Sequence, residues 1–465
     1  MKTWQDYLAA TDKVEFIKSA INDYRSSEDY QIALDADQYE RQRNTTITNL
    51  IRWIYTATGR RIVDTTASNN RIASNFFHRL NTARCTYSLG NGISFAGKDA
   101  NTSDDTTKKK LGDKFDTVLY NAAFDALEHA VTYLFWNVDK VHEFKATEFC
   151  PLMDEETGAL KAGIRFWSLD WEKKPVTAVL YMEEGYIKYR TKPGSRGLDL
   201  AEYEPLKPYR YTVARSEADG EVIVGESNYS ALPIVPLYGS KHKQSTLIGL
   251  KQAIDAYDLI NSGFANDLQD CAEIYWIISD AMGTQPTDIQ KFREQIKFFH
   301  VAAIDSETPA QPYTQQIPTE ARTKFLEEIQ AQMYRDFAVL DVHAVAAGAT
   351  NDHIDAAYQP MDEEADDFEY QIIEAVQQLL ALQGITGAIP QFKRNRISNQ
   401  YELTQMIMMA AQYMDEETVL NKLPFVTVDE VKKILDAKDA ESDSRLELID
   451  RKPTDEEEEE EEQEG

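Results

Sequence analysis

The 465-residue sequence predicts an α+β protein, mainly helical. Three observations carry this: apolar residues three and four apart over the first 85 residues, a period-two section from Asn137 to Leu237, and several long helical patterns beyond Leu247.

In chain order, WQDYLAA, VEFIKSAINDYRSSEDYQIALDADQYERQR and NNRIASNFFHRLNTARCTYSLG read as helices. KFDTVLYNAAFDALEHAVTYLFW reads as one more. VHEFKATEF, GIRFWSLDW, TAVLYMEEGYIKYRT, YRYTVARS and GEVIVGE alternate apolar and polar residues between Gly, Pro and acidic turns, so they read as strands. After LPIVPLYGSKHKQS, Leu250, Ile254, Tyr257, Phe264, Leu268 and Cys271 fall on one seam, with Asn261 at the missing step. Alternating steps of three and four give a period of about 3.5, the mark of a helix packed lengthwise on other helices. At about 1.5 Å per residue its ~25 residues span roughly 37 Å. Asp255, Asp258, Asp267 and Asp270 lie off this seam, which is ordinarily a wet helix face.

A βαβ-like segment follows: EIYWIISD, TDIQKFREQIKFF and HVAAID. PTEARTKFLEEIQAQMYRDFAVL then reads as a second long helix, with Pro318 in its first turn and Leu326, Ile329, Met333, Phe337 and Leu340 on one face. The Ala-rich stretch DVHAVAAGATNDHIDAAYQP separates it from a third, EEADDFEYQIIEAVQQLLALQG, closed by Gly384. A short helical bundle ends the ordered chain: Met406, Met408 and Met409 read as its core, and Thr427 with Glu430 as a capping box. The run of glutamates from Glu456 to Glu462 cannot bury anything and reads as disordered.

Composition narrows the function. No apolar run is long enough for a membrane span, and MKTWQDYLAATDK has no signal-like segment, so a soluble intracellular protein without membrane contact is expected. Cys85, Cys150 and Cys271 are scattered and odd in number, which predicts no disulfide framework. The seven histidines form no H-x-x-x-H pair, so no metal site and no cofactor are expected. The net charge is −30; the segment from Glu441 has 13 acidic and 3 basic residues, a net of −10, leaving −20 on the rest. Such a body argues against a groove-reading DNA binder, but suits a protein past which a polyanion slides.

GNGISFAGKD places Gly92, Gly97 and Lys98 at the spacing of a phosphate-binding loop, which would make the chain a nucleotide-binding enzyme. That loop needs a hydroxyl after the lysine and a helix behind it. Here Asp99 follows, and then the polar stretch DANTSDDTTKKK. A glycine-rich turn is the better reading.

The element order and four stretches resemble the portal proteins of tailed bacteriophages, in the long-tailed subgroup. These are NNRIASNFFHRLNTARCTYSLGNGISF, CPLMDEETGALKAGIRFW, LPIVPLYGSKHKQSTLIGLKQAIDAYDLINSGFANDLQDCAEIYWIISD and IPTEARTKFLEEIQAQMYRDFAVLD; the segment IDAYDLINSGFANDLQD is the most specific. The resemblance implies a non-enzymatic ring of twelve subunits at one capsid vertex around a tunnel for double-stranded DNA. Partners would be the terminase large subunit, a head-to-tail adaptor, and the major capsid and scaffolding proteins. It would reside in the virion, and in host cytoplasm during assembly. It further implies a wing (1–240), stem helices (241–271 and 318–340), a clip (272–317), a tunnel loop (341–358), a wing return helix and connector (359–399), a crown (400–440) and an acidic tail (441–465). Under it, Leu250, Ile254, Tyr257, Phe264 and Leu268 would pack the stem, and Asp255, Asp258, Asp267 and Asp270 would line the tunnel. His343, Ala346, Gly348, Asn351 and His353 would face DNA from the tunnel loop. Lys393, Arg394 and Arg396 near the crown would touch DNA or, the favoured reading, pair with acidic neighbours across a subunit boundary. The remaining alternative is a helical scaffold of another large assembly.

Overall fold

The computed structural model describes residues 1–55, 59–65, 68–95, 105–168, 176–216, 220–270, 275–278, 310–313, 318–341, 350–396, 400–423, 426, 431 and 433–438. Two compact units divide it: Met1–Leu340 with Pro360–Asn395, and Asp341–Gln359 with Arg396–Gly465.

In the first unit, helices α1 (Trp4–Ala9), α2 (Lys13–Arg25) and α3 (Glu28–Glu40) open the chain. The run expected as one helix through residue 43 breaks at Ser26–Ser27, where the Ser27 hydroxyl caps α3 by accepting from the Tyr30 N–H. After α4 (Thr45–Thr48), a ribbon of β1 (Trp53–Tyr55) and β2 (Arg61–Val63) precedes α5 (Phe76–Leu89). The helical reading of this region had no ribbon in it. Strand β3 (Ile93–Phe95), α6 (Asp105–Lys109) and α7 (Phe115–His129) follow.

Helix α7 stops where one continuous helix to Trp136 was expected. Ala130 takes φ +73°, and VTYLFWN becomes strand β4 (Val131–Asn137). Its β-branched and aromatic residues favour a pleated surface once the helix is broken. Between β5 (Lys140–Lys145) and β13 (Ile234–Tyr238), β4 is the centre of an antiparallel sheet. A second antiparallel sheet has the order β10 (Leu200–Lys207), β9 (Gly185–Thr191), β8 (Thr177–Met182), β7 (Leu160–Trp167), β6 (Phe149–Met153). Strands β11 (Arg210–Ser216) and β12 (Gly220–Ser227) form a separate hairpin.

Two cores result. Phe16, Ile17, Ala20 and Ile21 of α2 pack on Leu152, Ile164, Leu180 and Tyr189 of the five-stranded sheet. The larger core surrounds α7 and joins it to β4, β13 and the last long helix.

Three long helices follow: α8 (Leu247–Asp270), α9 (Thr319–Asp336) and α10 (Asn351–Ala381). Between α8 and α9, only β14 (Tyr275–Ile278) and β15 (Ala310–Tyr313) are described, and they pair antiparallel. The expected strand HVAAID and helix TDIQKFREQIKFF lie outside the described residues. Helix α10 starts twelve residues earlier than the sequence suggested and runs through Pro360. Ile354, Tyr358, Met361, Ala365, Phe368, Ile372, Ala375 and Leu379 are all buried at steps of three and four, while Pro360 is exposed. Burial of that seam outweighs the ~3 kcal/mol an interior proline costs. Gly384, φ +76°, lies just past the helix end. β16 (Pro390–Phe392) then pairs with β3.

In the second unit, α11 (Gln400–Ala410) and α12 (Glu416–Lys422) are described, with a helical stretch at 433–438. The backbone N–H of Asn351 donates to the Glu402 carboxylate at 2.8 Å, and Ile354, Tyr358, Ile407 and Val431 are buried. Met406, Met408 and Met409, expected in the core, are 57%, 60% and 70% exposed; Ile407 is the residue of that turn that turns inward. The capping box at Thr427 and Glu430 and the glutamate run lie outside the described residues.

Two predictions test this packing. Gly239 closes β13 against α7, and a Cβ there would stand 2.4 Å from the Ala126 carbonyl oxygen. Backbone cannot step aside cheaply, so Gly239→Ala is expected to destabilise by about 2–3 kcal/mol in urea unfolding. Glu143 on β5 has a buried carboxylate oxygen without a hydrogen-bond partner; burial first, then the charge of Asp125, pushes its pKa from 4.5 up to about 7, with Lys145 opposing. The fold therefore favours the neutral acid, and stability falls as pH rises from about 4.5 to about 7. Glu143→Gln removes that loss: full linkage of about 3 kcal/mol, discounted for partial exposure to about 1–2, is the expected gain at pH 8. Urea midpoints of the two proteins should coincide at about pH 4.

Candidate functional site

The long helices hold most of the residues singled out in the sequence. On α8, Leu250 and Ile254 are buried, Tyr257 is half-buried with its ring edge-on to Phe76 at 5.0 Å, and Phe264 lies under the Arg322 guanidinium. Leu268 departs from the expected seam at 53% exposed. It lies about 200° round the helix from Asn266, whose face is the covered one.

That covered face is polar. Residues 68–75 run antiparallel along α8, and the helix side chains take over the hydrogen bonds a neighbouring strand would supply. The backbone N–H groups of Asn70, Ile72 and Ser74 donate to Asn266 Oδ1 (2.6 Å), Ser262 Oγ (2.9 Å) and Asp258 Oδ1 (2.9 Å). The Ser262 hydroxyl donates in turn to the Ile72 carbonyl, and the Asn70 side chain reaches Gln269. The register follows from geometry. Two residues of extended chain advance about 6.7 Å and four helical residues about 6 Å, so every second N–H meets every fourth side chain. Asp258, Ser262 and Asn266 are all buried.

This corrects the reading of Asp258 as a solvent-facing wall residue. It is 0% exposed, also accepts from the Asn44 amide, and burial raises its pKa. Asp255 accepts from the hydroxyls of Tyr39 and Thr46 and lies 3.9 Å from the Lys251 ammonium, itself 3.1 Å from Asp35. Asp267 is ion-paired with Arg322 of α9 at 2.5 Å. The Asp270 side chain lies outside the described residues. Exposed carboxylates on the described long helices between Leu247 and Asp336 sit instead on α9, at Glu320, Glu327, Glu328 and Asp336. The signal for the polar stripe was present: Asp258, Ser262 and Asn266 recur at i, i+4, i+8 along the helix.

Of the DNA-facing candidates, His343, Ala346 and Gly348 lie outside the described residues. Asn351 and His353, expected in a loop, occupy the first turn of α10, where His353 Nδ1 is 2.8 Å from the Thr350 hydroxyl. In the basic cluster, Lys393 is exposed, whereas Arg394 is pinned to α10. Its guanidinium bonds Glu369 (2.9 Å), Asp366 and Asp362 (2.9 Å), and these partners, Glu369 first, push its pKa up. Arg396 bonds Asp355 at 3.2 Å and stacks on Tyr358. Arg394 and Arg396 thus pair with acidic residues of their own chain.

The described part of GNGISFAGKD follows α5, and its residues Ile93–Phe95 form strand β3, where a phosphate loop would have its turn. Gly92, φ +68°, leaves no room for a Cβ beside the Asp116 carboxylate, which pairs with Lys108 at 2.6 Å. A carboxylate at that point repels phosphate. Gly97, Lys98 and Asp99 lie outside the described residues. No described helix is long and apolar enough to cross a membrane.

Replacing Asp258 distinguishes a buried tie from a wet surface acid. Asp258→Ala orphans the Ser74 N–H and the Asn44 amide and should cost about 2–4 kcal/mol in urea unfolding, where a surface carboxylate would change less than about 0.5. Asp258→Asn, which keeps an acceptor and removes a buried charge, should cost less.

Comparison with known proteins bears on most of the chain. The family model described as "Phage portal protein, SPP1 Gp6-like" matches residues 31–444. The chain is 23% identical over 401 residues to the portal protein of Bacillus phage SPP1, covering 81% of this chain and 77% of that relative. It is likewise 23% identical over 399 residues to the portal protein of Clostridium phage phiCD119, covering 79% and 84%. Among solved structures, it is similar at 12% identity and a TM-score of 0.38 to a chain in the neck of an empty GTA particle computed with C6 symmetry, covering 74% of this chain and 88% of that one. That last likeness is too low to carry an argument. With one family matched from residue 31 to residue 444, the chain belongs to the phage portal proteins of the SPP1 Gp6-like type.

Proposed function

We propose that this chain is the subunit of a closed ring, of twelve copies, at one vertex of a phage capsid, and that the ring conducts double-stranded DNA during packaging and ejection without catalysing a reaction. The observation that carries the reading is the family match over residues 31–444, joined to two long helices, α8 and α9, packed lengthwise and tied by the Asp267–Arg322 ion pair. In this reading residues 1–240 and 359–399 are wing, α8 and α9 the stem, 272–317 the clip and 400–440 the crown. The tunnel loop shortens to about residues 341–350, because α10 begins at Asn351. Terminase, the head-to-tail adaptor, and capsid and scaffolding proteins dock on the ring, and the mature protein resides in the virion.

The bore is lined in this reading by the exposed acids of α9 rather than by Asp255 and Asp258. Lys324 and Arg335 of the same helix already pair with Glu320 and Glu328, at 2.9 Å each, so Glu327, on the side away from the buried Ile329 and Met333, keeps net negative charge there. A heterologous interface between copies closes without free ends only in a ring, which is what a conduit requires.

Negative-stain imaging and mass measurement of the purified full-length chain test this. The expected outcome is a closed ring with an axial channel wide enough for a duplex. A monomer, or an oligomer without a hole, contradicts the proposal, and so does ATP hydrolysis that disappears in Lys98→Ala.

A further inference from the structure

Helix α3 and the C-terminal end of α7 bring together three groups for which neither the fold nor the proposed conduit provides a role. Asp37 Oδ1 lies 3.3 Å from His129 Nε2, and Glu128 Oε1 lies 3.4 Å from the same nitrogen. One ligand atom from each residue falls within 4.8 Å of the others. The His129 side chain is 0% exposed, that of Glu128 2%, and that of Asp37 22%. The Glu128 Oε1 atom, though in ion contact with the ring, satisfies no hydrogen bond, and neither does His129 Nδ1. A buried carboxylate oxygen left in this way is costly unless something else occupies its lone pairs.

The separations point to what that is. Charge-assisted N–H···O bonds span about 2.7–2.9 Å, shorter than either contact. A tetrahedral ion with bonds of about 2.0–2.1 Å to nitrogen and oxygen holds its ligands about 3.3 Å apart. The surroundings are short of positive charge: Asp125 pairs with Lys145 at 2.9 Å, Glu40 with His78, and Glu143 stands near Asp125. Besides the two histidines, five carboxylates in this cluster face Lys145 and the more distant Arg41.

We propose that Asp37, Glu128 and His129 are the protein ligands of a structural site for a divalent transition-metal ion of the zinc class, its coordination completed by water. One imidazole with two carboxylates suits such an ion, whereas Mg²⁺ and Ca²⁺ take all-oxygen shells. Asp37, the one partly exposed member, gives the ion a path in. Bound there, it fastens α3 to the end of α7. The Leu127 and Glu128 carbonyls accept from the hydroxyls of Thr246 and Ser245 at the start of α8, so the same ion steadies the base of that helix.

The full-length chain, stripped with a chelator and confirmed folded by circular dichroism, is titrated with Zn²⁺ and with Co²⁺ as an optical probe. One Zn²⁺ per chain, a higher thermal midpoint with Zn²⁺, and the intense visible bands of tetrahedral Co²⁺ are expected. Asp37→Asn, a conservative change at a partly exposed position, should weaken Zn²⁺ binding at least tenfold and remove those bands. The Co²⁺ spectrum of the unmodified protein needs no variant, so the test stands even if a variant misfolds. Three results overturn the proposal: no stoichiometric binding, equal affinity with and without Asp37, or a weak octahedral spectrum from ions held by scattered surface carboxylates. None of these depends on whether the chain forms a ring.

Discussion

Helix α8 is fixed by a requirement on backbone polar groups. An extended segment laid against a helix has no strand partner for its N–H groups, and burying them unpaired would cost ~1–3 kcal/mol each. Here Asp258, Ser262 and Asn266 supply the acceptors, so the segment from Asn70 to Ser74 and the helix hold each other in one register. The start of the same helix is bound by a second set of obligations. The last carbonyls of α7 lack intrahelical donors. Gly239 N–H donates to Ala130 O, Ser245 Oγ to Glu128 O, and Thr246 to Leu127 O. A slide of α8 along its axis would break both sets at once. The helix is therefore a rigid strut, and α9 rests on it through Arg322 with its acidic side outward.

Sequence periodicity reports which residues share a face and not what covers that face. The apolar seam through Leu250 and Ile254, the length of α8, the second helix with Ile329 and Met333 inward, and most strands from Val141 to Leu237 were legible because side-chain burial repeats with the backbone. Asp258 was misread for the same reason. Off the apolar seam, a carboxylate under solvent and a carboxylate under a distant backbone N–H look alike, and its partners Asn44 and Ser74 are about two hundred residues away in the chain. Local signals failed where packing overrode them. The Ala-rich stretch ending at Pro360 was read as a separator between helices, yet the seam from Ile354 to Leu379 continues past it on the buried side. VTYLFW reads as helix by apolar content, but the left-handed Ala130 breaks the turn and hands it to the sheet. Met408 and its neighbours look like core because methionine usually is, and nothing local says that Ile407 alone turns inward. The Asp37, Glu128 and His129 grouping left no trace at all, since its members meet only when α3 packs on α7.

The acidic balance of the chain takes on a structural meaning once the basic side chains are located. Arg394 is spent on Asp362, Asp366 and Glu369, Arg396 on Asp355, and Arg322 on Asp267. Arg84 lies over Phe337 with its fork on that residue's carbonyl and on Glu364. Lys251 bridges Asp35 and the Tyr39 hydroxyl. Guanidinium groups that would grip phosphate bidentately are in each case already gripping a carboxylate or carbonyl. Tight duplex binding releases counterions in proportion to the number of free cations presented to phosphates. At these positions the basic side chains are held by groups of their own chain. The consequence is mechanical as much as electrostatic: the ion pairs that stiffen the subunit also occupy the cations that could otherwise grip a phosphate.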